Sequence, residues 1–447
     1  MSRALYPVLD PDAPPGCPTG RYLRSLLLAL LLTLTLAASA QKPRARDLGV
    51  PFDGTPGRNN AITDVTGVEV GHTTLISGGG KLIVGKGPVR TGVTAIHPRG
   101  KTSNDAVFAA WFTLNGNGEM TGTTWVDDSG FLNGPVMITN THSVGVVRDA
   151  VIAWKVKRGE PDMEGYWWSL PVVAETWDGW LNDINGFHIR PEDAWHALDI
   201  AHSGPVEEGN VGGGTGMICN EFKGGIGTAS RVLDAKSGGY TVGVLVQCNY
   251  GRRDQLRIAG VPVGKEIPEH PAYEETASPG SGTRGPSQPM WGQPPSAVQR
   301  REGPLQSPPV SPLQGKDVGS IIVIVATDAP LIPTQLKRIA KKVSLGLGRD
   351  GSYSGDGSGD IFLAFSTANP GAVSPKSDQP NNLHPLTMLP NDALDPIFLA
   401  TVQATEEAVI NAMVAAETMK GIDDHEVIAL PHDRLREVLK KYNRLGK

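Results

Sequence analysis

A net charge of −5 spread over 447 residues, with no Lys/Arg cluster interleaved with aromatics, excludes the electrostatic footprint of a nucleic-acid binder. Ten scattered histidines show no HExxH or similar ligand spacing and the three cysteines are too few for a disulfide scaffold, so neither a metal nor any other cofactor is implied. What remains is a glycine-rich chain, long enough for two domains or one large layered one.

In chain order, Ser25 to Ala38 form a nearly unbroken apolar run behind Arg21 and Arg24, followed by Ala38-Ser39-Ala40. This is the layout of a secretory signal peptide. The run is shorter than the roughly 20 residues a bilayer core requires, so cleavage near Ala40 is expected rather than a membrane anchor. Residues 41–447 would then be the mature, secreted or periplasmic chain, free of the membrane. Short apolar segments bounded by Gly, Asn or Asp predict strands at Gly67–His72, Val136–Thr139, Tyr240–Val246 and Ile321–Val325. Helices are predicted over Ser143–Lys157 behind a cap-like Ser, and over Pro191–His202. A third, Thr334–Leu345, places Leu336, Ile339, Ala340 and Val343 on one stripe behind a Thr cap, and a fourth runs from about Asp392 to Lys420 and stops at Gly421. Continuous apolar strands mixed with striped helices predict sheets buried between helix layers. Cys219 and Cys248 lie in apolar contexts and are expected as buried free thiols, although an exported protein could pair them. The glycine run Gly209–Gly216 lacks the Gly-Lys-Ser/Thr ending of a phosphate loop, and suits a close backbone approach or a cleft wall.

Pro268 to Pro312 holds 11 of the 36 prolines and scarcely any aliphatic residue, the composition of a flexible, exposed linker. It leads through Gly315-Lys316-Asp317-Val318 to Gly319, and Ser320 then opens an apolar strand. By itself Gly-Ser reads as a turn opening a strand. It also permits a specific chemistry. A seryl hydroxyl can attack the carbonyl before it in an N-to-O acyl shift, and hydrolysis of the ester leaves that serine as a new N-terminus. One residue then carries a nucleophile and an α-amine titrating near 7.7–8.0, a base that needs no histidine. Glycine before the serine would let the backbone twist for the shift.

Several stretches, taken together and in order, carry a resemblance. They are Asn60-Ala61-Ile62-Thr63-Asp64-Val65 with Gly67-Val68, Gly209-Asn210-Val211-Gly212-Gly213-Gly214-Thr215-Gly216-Met217 and Gln247-Cys248-Asn249-Tyr250-Gly251. Gly319-Ser320-Ile321-Ile322 follows, running into Ala326-Thr327-Asp328-Ala329-Pro330-Leu331, and then Gly357-Ser358-Gly359-Asp360-Ile361-Phe362. From about Asp47 onward, apart from the Pro-rich insertion, the sequence resembles the DmpA-like self-processing aminopeptidases, which include L-aminopeptidase/D-amidase/D-esterases and β-peptidyl aminopeptidases. The resemblance implies an α/β fold, an αββα four-layer sandwich of the N-terminal-nucleophile kind, made as one precursor and cut into a large fragment, 41–319, and a small one, 320–447. It implies Ser320 as nucleophile, Ser358 bonded to the nucleophile or its amine, Asp360 orienting that amine (one methylene shorter than the glutamate some members carry) and Asn249 at the oxyanion. Glu175 falls where the family holds the substrate's ammonium group. Trp177 stands where some members have a tyrosine, and its indole donates a hydrogen bond but exchanges no proton.

Without the family, Ser358 and Asn249 read as loop or strand-end residues, Asp360 as a turn end or surface ion pair, and Glu175 equally as a structural ion-pair member. His97 and His142 read as core or rim histidines. The implied function is hydrolysis of N-terminal residues from small peptides, amides or esters, without cofactor, by a homo-oligomer of two-fragment protomers. A self-processing acyltransferase of the ornithine-acetyltransferase kind is a second reading, against which the serine and the export signal count. A non-catalytic periplasmic binding protein is a third.

Overall fold

The computed structural model describes residues 42–159, 168–273, 319–373 and 384–446. The expected signal segment, the Pro-rich stretch beyond Tyr273 and the Lys316–Val318 approach to the expected cut lie outside the described residues. The strands that carry the architecture are β1 (Glu69–Ser77), β2 (Val89–His97), β3 (Val107–Gly116), β4 (Phe131–Leu132), β5 (Val136–Asn140), β6 (Val172–Thr176), β7 (Ile218–Cys219), β8 (Phe222–Lys223), β9 (Gly225–Val232), β10 (Thr241–Asn249), β11 (Ser320–Thr327) and β12 (Gly359–Ser366). One sheet has the order β1-β2-β5-β6 and a second the order β4-β3-β12-β11-β10-β9, while β7 and β8 pair as a small ribbon. Four helices make the outer layers: α1 (Val144–Arg158), α2 (Pro191–Ile200), α3 (Pro333–Arg349) and α4 (Asp395–Val414).

Strand period 2 explains the layering. Along β11, Ile322, Ile324 and Ala326 face the other sheet, meeting Ile96, Ile138 and Ala174. Ile321, Val323 and Val325 face the opposite way, onto Leu336, Ile339 and Val343 of α3 and Ala404 and Ala408 of α4. The four-stranded sheet turns Val93, Ala95, Met137 and Val173 to Val147, Val151, Ala197 and Leu198 of α1 and α2. Both faces of β11 are therefore buried, which is why its sequence is apolar throughout instead of alternating, and each such side chain contributes about 1.5–3 kcal/mol of burial. The result is the expected αββα sandwich.

Helix termini depart from expectation where tertiary contacts outvote local signals. The helix ending at Gly421 was expected to be one piece; α4 stops at Val414, because Asn210 engages Glu417, accepting from its N–H at 2.9 Å and donating to its carbonyl at 2.8 Å. Gly421 serves instead as a close-approach point, since a Cβ there would lie 2.1 Å from the Leu181 carbonyl. Ile332, not Thr334, caps α3, with Pro333 opening it and the Gln335 side chain accepting from the Ile332 N–H at 3.2 Å. Helix α4 is apolar enough by composition to cross a bilayer, but 83% of its apolar window is buried inside the fold, which makes it a core helix. The cysteines also correct the sequence reading. Cys219 and Cys248 are both buried, as expected, but they form a disulfide with Cα atoms 5.5 Å apart. Nothing in sequence spacing reveals that β7 folds back against the end of β10.

Candidate active site

Ser320 opens β11 at the end of the large sheet. Its antiparallel neighbour on β10 is Asn249 and its parallel neighbour on β12 is Gly359, so Ser358, Gly359 and Asp360 flank it by strand register alone. The Gly359 N–H points at two acceptors, the Ser320 Oγ and the Gly319 carbonyl, each at 3.2 Å. Glycine at 319 is required for space: a Cβ would lie 2.0 Å from the Asn249 carbonyl. Close packing is one reason for this glycine.

Across the gap between the sheets stands Glu175, on β6 and 3% exposed. Its Oε1 accepts from the Glu119 N–H at 2.9 Å and its Oε2 accepts from the Thr141 hydroxyl. Burial pushes its carboxyl above the usual range; the Thr141 and Glu119 hydrogen bonds oppose this, and the Glu119 charge adds to it. Among the described residues no ion pair includes Glu175, so it is a buried carboxylate in want of a cation. A cleft of about 430 Å³ separates the two, lined by Ser320, Gly319, Glu175, Thr141, Trp177 and the Asn117–Glu119 loop. Trp177 forms part of its wall, while its carbonyl accepts from Asn249 Nδ2 at 2.9 Å. Asn249 Oδ1 accepts from the Ile218 N–H at 2.8 Å, which fixes the amide's orientation and leaves one Nδ2 hydrogen available. The disulfide joins the residues next in sequence to this pair, Cys219 and Cys248.

Asp360 is neither a turn end nor a surface ion-pair member. It is fully buried, its Oδ1 accepts from Ser358 Oγ at 2.6 Å, and its Oδ2 accepts from the Ser354 hydroxyl. A register irregularity between Asp360 and Ile361 aims it, as bulges beside functional sites do. Ser354 reaches it from a left-handed conformation, φ 53°, uncommon for a residue other than glycine.

The fold thus brings together all the residues singled out from sequence: Gly319, Ser320, Asn249, Ser358, Asp360, Glu175 and Trp177. Sequence reasoning missed Thr141, the Glu119 N–H and Ser354. Thr141 follows β5 directly, and its place beside Glu175 comes from β5 and β6 ending together, for which the sequence held no signal. His97 is a core residue, bonded to the Leu198 carbonyl at 3.1 Å and lowered by burial to about 4, and His142 stacks on Phe187 at the rim. Among the described residues no group of three or more His, Cys, Asp or Glu side chains is placed to hold a metal.

Known proteins resemble this chain in sequence and fold. The sequence profile of peptidase family S58 matches residues 60–427. A β-peptidyl aminopeptidase, BapA, of Sphingosinicella microcystinivorans is 53% identical over 425 residues, 95% of this chain and 99% of that protein. Its counterpart of the same name in Sphingosinicella xenopeptidilytica is 47% identical, covering 93% and 95% respectively. Among solved structures, the L-aminopeptidase D-Ala-esterase/amidase of Ochrobactrum anthropi, described as a prototype of the serine aminopeptidases and a variant of the Ntn hydrolase fold, superimposes with a TM-score of 0.74 at 46% identity. It covers 91% of this chain and all of that one. Similarity over nearly the whole length and a common fold show that the chain belongs to peptidase family S58 as a serine aminopeptidase.

Proposed function

We propose that the chain cuts itself between Gly319 and Ser320 and then removes β-amino acid residues from the N-termini of small peptides and amides. The observation that carries this is the facing pair: Ser320 on one wall of the cleft, and Glu175, buried without a cationic partner among the described residues, on the other. In self-cleavage, Ser320 Oγ attacks the Gly319 carbonyl, the C–N bond to Ser320 breaks, and the hydroxyl proton passes to the departing nitrogen. Water then hydrolyses the ester and leaves a free amine on Ser320. In turnover that amine takes the hydroxyl proton as Oγ attacks the substrate carbonyl, and returns it to the leaving amine. Water regenerates the serine. The remaining Nδ2 hydrogen of Asn249 serves the oxyanion, a role whose loss costs about 3–4 kcal/mol in the barrier. Ser358 and Asp360 hold the new amine, and Glu175 holds the substrate's ammonium, which makes the enzyme an exopeptidase. The preference for β-residues rests on the named activity of the two BapA relatives.

The small fragment supplies β11 and β12 to the middle of the six-stranded sheet, so both fragments stay in one body after the cut. The apolar N-terminal segment and the Cys219–Cys248 disulfide support export to an oxidising compartment, secreted or periplasmic, and the reading includes homo-oligomeric assembly of cleaved protomers. The match to a peptidase family favours hydrolysis over the acyltransferase and binding-protein readings. Ser320→Ala tests the mechanism: it should run as one chain and release no p-nitroaniline from β-alanyl-p-nitroanilide. A two-fragment Ser320→Ala protein, or an active one, overturns it.

A further inference from the structure

The interface between the two sheets is apolar along most of its length, yet at the cleft end β10 sends polar side chains across it. Gln247, fully buried, donates from Nε2 to the Thr139 carbonyl of β5 at 3.0 Å and to the Thr176 hydroxyl of β6 at 2.8 Å. Two residues on, and on the same face, Asn249 donates to the Trp177 carbonyl. Thr139 and Thr176 bracket Glu175, their strands pairing Thr139 directly with it. Gln247 lies opposite Ile322, two residues into the strand that Ser320 begins. The amide's orientation is fixed by chemistry, because the Thr139 carbonyl needs a donor. The signature glycine run, which the reaction itself does not use, makes room for the crossing: a Cβ at Gly213 would sit 2.1 Å from Gln247 Oε1 and 2.8 Å from the Ile138 carbonyl. Gly213 is held there by its N–H, which donates to Thr94 Oγ1 at 3.1 Å.

We infer that Gln247 is a positioning residue that sets the gap between the ammonium anchor on one sheet and the nucleophile on the other, and so selects the acyl residue by backbone length. The inference rests on the reading of Glu175 and Ser320 given above. A β-amino acid places one additional backbone carbon, a bond of about 1.5 Å, between its ammonium and its carbonyl. An enzyme that anchors the first and attacks the second measures that length, and only a rigid spacer between the sheets holds the measure. An apolar interface is non-directional and does not fix a register to a fraction of an ångström, whereas hydrogen bonds of 2.8 and 3.0 Å do.

The test compares kcat/KM for β-alanyl-p-nitroanilide and L-alanyl-p-nitroanilide, which share a leaving group, in wild type, Gln247→Leu and Thr176→Val. Thr176→Val removes one of the two acceptors without changing shape and decides the matter if Gln247→Leu does not fold or self-cleave. The ratio of the two substrates should change by about tenfold in Gln247→Leu, the scale at which a pocket discriminates one methylene, and in the same direction but less in Thr176→Val. Both variants should still appear as two fragments. A ratio equal to wild type in cleaved protein overturns the inference, even where both activities fall together, because a merely structural role lowers both alike. Glu175→Gln is the control: if it leaves KM for both substrates unchanged, the ammonium-anchor reading fails and takes this one with it.

Discussion

Replacing Glu175 by Gln tests the buried charge proposed to hold the substrate's ammonium. The change is nearly isosteric, and its neighbours accommodate it. The Glu119 N–H keeps a carbonyl oxygen to donate to, and the Thr141 hydroxyl turns from donor to acceptor to meet the new amide. The scaffold is expected to gain slightly in stability, since burial disfavours the ionised carboxylate that is removed. Binding is expected to lose. Two unit charges 4 Å apart interact by about 4 kcal/mol at an effective permittivity of 20, and a hydrogen bond to a charged group contributes about 1.5–3 kcal/mol. A net loss of about 3 kcal/mol corresponds to roughly 10²-fold in kcat/KM for β-alanyl-p-nitroanilide. Self-cleavage should proceed unchanged, because the scissile peptide carries no ammonium for Glu175 to hold. Fragment formation on a denaturing gel and initial rates on the same preparation separate the two. A Glu175→Gln enzyme of wild-type activity, or one that stays a single chain, refutes the assignment.

The same charge shapes the pH profile. Activity should fall on the acid side as Glu175 protonates, at a pH above the ordinary carboxylate range because burial raises it, and further where the Ser320 amine gains a proton near 7.7–8.0; on the basic side it falls as the substrate amine loses its charge. A profile still flat at pH 5 contradicts both groups. Asp350 is fully buried with neither oxygen bonded among the described residues, and burial raises its carboxyl well above the usual value. The folded chain keeps a proton there that the unfolded chain gives up, so this group's contribution to stability is complete below the ordinary Asp range and is lost as pH rises toward the raised value. The Tm advantage of Asp350→Asn over wild type should therefore grow with pH, and a constant offset refutes it. Glu407 of α4 pairs with Arg46 and Arg231 at 2.7 Å each and binds Asn60, linking the small fragment to the large one. Glu407→Ala strands the buried Arg231 guanidinium and frees the half-buried Arg46, and should cost about 3–5 kcal/mol in urea unfolding, against under 1 for a surface pair. Replacing both cysteines by alanine opens a loop spanning 29 residues, a loss of about 3–4 kcal/mol on the chain-entropy account, and should also lower kcat by loosening the Ile218–Asn249 bond. Unchanged kcat removes the second half of that statement.

The layering was legible because β11 and its neighbours are apolar on both faces and α3 on one, and those periods admit few architectures. The serine was legible only through the family resemblance, since Gly-Ser at the head of such a strand reads by itself as a turn. What stayed hidden shares one cause: it depends on which strand ends meet. Thr141 holds Glu175 because β5 and β6 are parallel and end together, Ser354 reaches Asp360, six positions on, from a strained conformation, and Cys219 meets Cys248 because a two-residue strand folds back. Helix α4 ended early for the same reason, a side chain 207 residues away claiming its continuation.

Self-cleavage and catalysis can share one set of groups only if the cut vacates the space the substrate needs. Gly319 occupies that space. It lines the cleft beside Ser320, its carbonyl takes the Gly359 N–H, and its Cα packs so closely on the Asn249 backbone that no side chain fits. If the proposed cut breaks its bond to Ser320, the Gly359 N–H and the packing on Asn249 are the sheet contacts left to it, whereas Ser320 stays fixed by pairing on both sides to β10 and β12. Departure of the glycine in the proposed cut would uncover the Gly359 N–H and the flank of Asn249 together, and would offer an incoming acyl carbonyl the donors the scissile carbonyl had left. A larger residue at 319 should therefore impair folding of the precursor more than activity of a mature enzyme reconstituted from separately expressed 41–319 and 320–447 fragments. Equal loss in the two settings would show that residue 319 still contributes after the cut.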